Sequence, residues 1–450
     1  GTTRIKLNVG GKLFETTVTT LRSGGPDSLL SGLSSRRPSP DPIFIDRDPE
    51  IFSVLLSLLR SNRLPSAARR FSDQQLIEDA LYFGIDSLLP PALAPSSLKG
   101  VDASLSATVR PSSDGIVSDF DVEDSNGSLH VAHGGLISVY DLNLNLTRTG
   151  TVRTHLDFIR PLKTIEPSIA AVGSGTTSGL DLYNTDNGRR VHSVEWVDPS
   201  DVRIFKARVH AIAKSEDSIF ASYGCWHGEN CTLAIDKSTM KVSSEIGRMS
   251  GNSSKTAAPS KLAYSSQLNL LIGIYVSSGG FGFSGYIRLW DLRSGDVVWE
   301  THEPGGAGLS NRLGDPFADV DVSSDESSLF KICSKSGDVA TADLRKLSDD
   351  PWVYLTEKNP SLRNTGDGRK TVIHCYQKQA FVGRDGGLEV WSKVEENGVA
   401  MAYRRNHVDK PEDTKRGTIN KIHGGGNRLL VTRQDVEGIE VWTTSHSSGV

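Results

Sequence analysis

Ile137-Ser138-Val139-Tyr140, Leu180-Asp181-Leu182-Tyr183, Leu233-Ala234-Ile235-Asp236, Ile287-Arg288-Leu289-Trp290, Val339-Ala340-Thr341-Ala342, Leu388-Glu389-Val390-Trp391 and Ile439-Glu440-Val441-Trp442 are seven versions of one pattern, apolar-x-apolar-anchor. Alternation with a period of two is the pattern of a β-strand. Successive anchors are 43, 53, 54, 52, 49 and 51 residues apart, close to the repeat of about 40–50 residues expected for a four-stranded propeller blade. One turn upstream of each lies a second apolar run: Leu129–Ala132, Ile169–Val172, Ile219–Tyr223, Leu270–Val276, Leu329–Cys333, Ala380–Gly383 and Leu429–Thr432. Each repeat is therefore at least a hairpin. A lone hairpin cannot bury both faces, and stacking seven around an axis removes the open edges that invite aggregation. The expected fold of residues 101–446 is a seven-bladed β-propeller, followed by a tail at 447–450. Little chain remains after Trp442 for an outer strand, whereas residues 103–109 (Ala-Ser-Leu-Ser-Ala-Thr-Val) precede the first repeat and belong to none. They are expected to close the last blade.

Trp290-Asp291, and more weakly Tyr140-Asp141, resemble the WD40 signature. The other repeats lack the dipeptide and no regular Gly-His partner accompanies them, so the resemblance is to a degenerate, WD40-like propeller.

Upstream, the pattern changes. Ile5, Leu7 and Val9 alternate before the Gly10-Gly11 turn, and Leu13 to Val18 runs on, which reads as a hairpin. Ile43-Phe44-Ile45 is a third short strand, and Asp48-Pro49 has the form of an N-cap followed by proline at the first helical position. Ile51, Phe52, Leu55, Leu56 and Leu59 then share a helical face. Ser72 and Gln75 form a capping-box pair ahead of Leu76, Ile77, Ala80, Leu81 and Phe83, with Gly84 as the stop. The result is a small α+β domain over residues 1–89. Residues 90–100, rich in Pro, Ala and Ser, read as a linker.

The stretches Ile5-Lys6-Leu7-Asn8-Val9-Gly10-Gly11-Lys12-Leu13-Phe14, Phe44-Ile45-Asp46-Arg47-Asp48-Pro49, Phe52 to Leu59, Leu64-Pro65 and Ala80-Leu81-Tyr82-Phe83-Gly84-Ile85 resemble a BTB/POZ domain. The branch is that of the potassium-channel tetramerisation (T1-like) domain. Its channel members carry membrane helices, and some carry interfacial zinc ligands; here no apolar run approaches a span, and no cysteine precedes Cys225. The resemblance implies a self-associating adaptor that recruits a Cullin-3 ubiquitin ligase, with the propeller selecting the protein to be modified. The alternative is a non-degradative oligomeric scaffold or a regulator of channels or signalling. Asp46, Arg47 and Asp48 are candidates for pairing across subunits; the plainer reading is a helix cap beside a solvated arginine.

Composition narrows the remaining classes. Lys+Arg 50 against Asp+Glu 54 gives a net charge of −4, without the basic excess that nucleic-acid or anionic-membrane binding requires. The chain is expected to be soluble and to insert in no membrane. Four cysteines in 450 residues are too few for a disulfide framework, which places the protein in a reducing compartment, the cytoplasm or alternatively the nucleus. Enzymatic motifs fail on context. Gly280-Phe281-Gly282-Phe283-Ser284-Gly285 fits G-x-G-x-x-G but runs into a strand, not a helix, and Ser254 stands where a phosphate loop needs glycine. Cys225, His227 and Cys231 lack a fourth ligand. His155, His210, His374 and His423 fall near expected first strands and assemble no triad. No catalytic residue, metal or cofactor is expected.

Recognition residues are expected in the long blade-to-blade connections 247–260, 303–315, 359–370 and 405–417. Their cations Arg248, Lys255, Arg312, Arg363, Arg369, Lys370, Lys415 and Arg416 would form a site for an acidic or phosphorylated peptide if they converge. Asp367, Asp409, Glu412 and Asp413 lie among them.

Overall fold

The computed structural model describes residues 4–35, 41–62, 64–93, 97–110, 115–123, 127–142, 146–279, 282–302, 315–355, 370–396, 399–410, 416–434 and 436–444. The chain forms two compact units whose main division falls between Pro95 and Ser96.

In the first unit, β1 (Arg4–Val9) and β2 (Lys12–Thr17) form an antiparallel hairpin. Gly10 and Gly11 at its turn both have positive φ, and a Cβ on Gly10 would lie 2.5 Å from the Arg47 carbonyl oxygen. Helices α1 (Val18–Arg22) and α2 (Leu29–Ser34) follow, and β3 (Ile43–Ile45) joins β1 in parallel, giving the order β2-β1-β3. Helix α3 (Pro49–Ser61) starts where Asp48 Oδ1 accepts from the Glu50 and Ile51 amides at 2.7 and 3.1 Å. It buries Val54 and Leu58 besides the five expected positions, so it is a core helix wrapped on most sides. Helix α4 (Asp73–Phe83) carries the Ser72/Gln75 capping box and ends at left-handed Gly84. The core runs through Phe14, Phe52 and Phe83, with successive centroids 5.0 and 5.2 Å apart.

The spacer expected over 90–100 is shortened from both ends. Leu89–Leu93 forms helix α5, and Leu89, 1% exposed, belongs to the first unit's core. Pro90 and Pro91 sit in the first turn, where a missing N–H costs nothing. On the other side Leu98 is buried in the second unit, and the Leu98 and Gly100 amides donate to the side chains of Gln377 and Gln379, each at 2.7 Å.

Among the described residues the second unit shows seven four-stranded antiparallel sheets, here called blades 1–7 in chain order. The seven anchor strands are the third strands of these sheets, and the upstream runs are the second strands. Ala103–Val109 pairs with Ile439–Thr444 as the outer strand of blade 7, so the two ends of the unit meet in one sheet. The first, innermost strands of the blades are Asp119–Val122, Leu162–Glu166, Arg208–Lys214, Lys261–Ser265, Phe317–Val322, Val372–Tyr376 and Ile419–Gly425. Apolar cores lie between adjacent blades; one joins Leu182, Val194 and Trp196 of blade 2 to Val209, Tyr223 and Leu233 of blade 3.

Two of the expected connections are shorter than the sequence implied. Gly247–Ser250 continues the outer strand of blade 3, Val242–Ser250, and Arg405–Asp409 continues that of blade 6, Val399–Asp409. Gly247 permits this: it has φ +60, and a Cβ there would lie 2.7 Å from the Trp290 indole. Residues 303–314 and 356–369 lie outside the described residues.

Candidate functional site

The inner strands carry an ionic arrangement built twice. In blade 1, Asp119 and Asp121 each accept from a backbone amide of blade 2, Leu162 N at 2.8 Å and Thr164 N at 2.9 Å. In blade 5, Asp319 and Asp321 accept from Ile373 N at 3.0 Å and Cys375 N at 2.8 Å of blade 6. The preceding blade supplies a lysine in both. Lys421 Nζ lies 2.6 Å from Asp119 Oδ1 and 2.6 Å from the Phe120 carbonyl; Lys261 Nζ lies 3.5 Å from Asp319, 3.2 Å from Asp321 and 2.7 Å from the Val320 carbonyl. The following blade closes the set with Lys163 on Asp121 at 2.8 Å and His374 on Asp321 at 2.9 Å. Inner strands of adjacent blades share no ladder, so each Asp-x-Asp pair satisfies amides that would otherwise be unpaired. Burial pushes the Asp121 carboxyl up, but Lys163, His423 and Lys421 outweigh it and hold it well below the usual range. His423 stacks on His374 with centroids 4.9 Å apart; burial and that neighbour push its pKa down to about 3. The four carboxylates are bonded from both neighbouring blades, and their chemistry is that of a clasp between blades.

Of the propeller cations singled out from sequence, Arg248, Lys255, Lys370 and Arg416 are among the described residues, and Arg248 and Arg416 are held in separate ion pairs. Arg248 lies in a strand and donates to Asp198 at 2.8 Å and Asp201 at 2.9 Å, with its guanidinium 5.7 Å from the Trp196 ring centre. Arg416 pairs with Asp409 at 3.1 Å and Glu440 at 3.6 Å; fully buried Arg433 holds the same two carboxylates. Lys370 bonds Asn420 Oδ1 at 3.1 Å, and burial, helped by the nearby Arg160 charge, lowers its pKa. Lys255 is positioned by its backbone, whose carbonyl accepts from Arg288 at 3.2 Å. Arg312, Arg363, Arg369 and Lys415 lie outside the described residues.

In the first unit Asp48 is spent on capping α3. Arg47 reaches Asp79 at 3.4 Å and stacks over Tyr82 at 3.9 Å, ties that hold α4 to the strand–helix junction. Asp46 faces solvent. Leu81, expected on the apolar face of α4 with Leu76, Ala80 and Phe83, instead points outward at 65% exposed, and Leu13 and Phe44 are 67% and 62% exposed. Their positions on the strand edges and on α4 carry the signal: an apolar residue on the face opposite the core.

Cys231 is buried in the core of blade 3, and burial raises its thiol pKa and that of Cys225. Among the described residues no three His, Cys, Asp or Glu side chains are grouped as a metal ion would need, and no helix is long and apolar enough to cross a membrane.

Residues 5–91 match the BTB/POZ domain family, and residues 112–444 match the family described as At2g24240-like, C-terminal beta propeller. The chain belongs to the BTB/POZ proteins with this propeller. Within this BTB–propeller family it is 34% identical to BTB/POZ domain-containing protein At5g41330 of Arabidopsis thaliana, covering 99% of this chain and 97% of that one. It is 28% identical to BTB/POZ domain-containing protein At4g30940 of the same plant, over 98% and 97% of the two chains. The first unit alone is 35% identical to part of human BTB/POZ domain-containing protein KCTD9, across 19% of this chain and 23% of that one. The BTB–propeller relatives thus align across both units, whereas the KCTD9 likeness is confined to a single domain.

Proposed function

We propose that the protein is an oligomeric substrate adaptor of a Cullin-3 ubiquitin ligase. Its BTB/POZ domain self-associates and docks the Cullin, its propeller holds the protein to be modified, and it performs no chemistry itself. The observation that carries this reading is the pairing, in one chain, of a BTB/POZ fold presenting exposed Leu13, Phe44 and Leu81 with a propeller whose inner charges are bonded to one another. Such a scaffold leaves recognition to its rim. Several propellers on one hub raise the effective concentration of binding sites, so that modest single-site affinities suffice.

The test is the light-scattering mass of the purified chain, alone and with the amino-terminal domain of Cullin-3. A discrete oligomer that gains Cullin mass supports the adaptor. An oligomer that ignores Cullin-3 overturns the ligase half and leaves a non-degradative scaffold; a monomer overturns both.

A further inference from the structure

The connection entering blade 3 and a turn within that blade leave the sheet at the same edge, because Arg208 of the inner strand pairs directly with Gly224 of the second strand. The connection carries Val197, Val202 and Phe205, exposed by 66%, 92% and 66%, and the turn carries Trp226, exposed by 81%. The two segments are held together. Arg203 Nη1 of the connection lies 2.9 Å from Glu229 Oε1 at the foot of the turn. Beneath them Trp196, Ile204, Ala207 and Cys231 are buried, so the exposed side chains stand on a packed base. Single exposed apolar residues are ordinary, but two aromatics and two valines on segments that meet at one end of the sheet make a patch that calls for a partner.

Charge around the patch is uneven. Asp198 is engaged by Arg248 at 2.8 Å, Asp201 by Arg203 at 2.8 Å and by Arg248 at 2.9 Å, and Glu229 by Arg203, which leaves exposed Glu195 as the connection's one carboxylate without an ion pair among the described residues. Lys206, whose ammonium lies 5.2 Å from the Phe205 ring centre, and Arg208 form no ion pair among the described residues. We propose that Val202, Phe205 and Trp226, flanked by Lys206 and Arg208, dock a short partner segment with a bulky apolar side chain beside carboxylates. Trp is a frequent anchor of interface energy, and a carboxylate brought to a guanidinium adds charge-assisted bonds. The site deepens the adaptor reading by naming what the propeller recognises. It rests on the propeller's recognition role and not on Cullin-3.

The experiment pans a displayed library of randomised nonapeptides against the full chain, then measures the enriched consensus peptide by fluorescence anisotropy. The expected result is a bulky apolar residue with Asp or Glu beside it, and at least tenfold weaker binding to Trp226→Ser and to a Lys206→Glu/Arg208→Glu double variant. Trp226 and Lys206 are exposed and Arg208 is half-buried at the start of its strand, and unchanged melting confirms the fold of both variants. No enrichment, enrichment without acidic flanks, or binding indifferent to Trp226→Ser overturns the proposal. A drop in oligomer mass on Trp226→Ser overturns it in favour of a contact between copies. Peptide binding without Cullin-3 binding removes only the ligase half of the adaptor reading; Cullin-3 binding without peptide binding removes only this site.

Discussion

Asp119 and Asp319, 200 residues apart in sequence, make the same set of bonds: each accepts from its successor's amide, from an amide of the following blade, and pairs with a lysine of the preceding one. With Asp121 and Asp321 they clasp blades 7, 1 and 2 and blades 4, 5 and 6. The arrangement places carboxylates where adjacent inner strands leave amides without partners, and it bonds them to groups drawn from both sides.

Removing one member of the clasp leaves its partners exposed to the full cost of burial. Asp121 is 3% exposed and holds both Lys163 and the Thr164 amide. Asp121→Ala is expected to lower stability by about 3 kcal/mol, as for a buried ion pair broken on one side. Urea unfolding measures this, and Lys163→Met in the same background should recover part of the loss.

Acid is expected to destabilise the propeller before carboxylates titrate. His130 is fully buried with its ring on Thr164 Oγ1 at 3.0 Å, and burial lowers its pKa to about 4; that of His423 falls to about 3. Both are neutral when folded and take up a proton below about 6.5 once unfolded, so the unfolded chain binds more protons and gains as pH falls. Between pH 7 and 5.5 each contributes a loss of about 1 kcal/mol. Below pH 4, Asp121 and Asp321, both held under the usual carboxylate range, add to the loss. Melting curves from pH 7 to 5 check the first step, and His130→Asn should flatten it.

Trp290 is gripped by two glycines. A Cβ on Gly273 would lie 2.5 Å from the indole, and one on Gly247 2.7 Å. Gly273→Ala is expected to cost about 1–3 kcal/mol through overpacking, read as a lower melting temperature; melting equal to the parent would contradict the assignment of Trp290 as a rigid anchor.

For the BTB/POZ domain, Phe44→Asp and Leu81→Asp are expected to leave the melting temperature within a few degrees, because both side chains are mostly in solvent. They should lower the light-scattering mass if this surface joins the copies. Asp48→Ala should behave oppositely, costing about 1 kcal/mol as a lost N-cap with no change in mass.

What the sequence by itself determined is whatever depends on neighbours along the chain. The anchors from Tyr140 to Trp442 reveal their strands because pleating imposes a period of two, and Asp48, Ser72 and Gly84 mark helix ends because capping is a contact over a few residues. Even the outer strand of blade 7 was legible, since Ala103–Val109 had no other repeat to join. The partners of charges were decided only by the tertiary structure. Arg248 reads as a free cation until the fold brings Asp198 and Asp201 to it, and Arg416 until Asp409 and Glu440 close on it. The two Asp-x-Asp pairs were visible as letters, but their meaning was not. An ion pair is made by distance in space, and strands that adjoin around a ring can lie hundreds of residues apart along the chain.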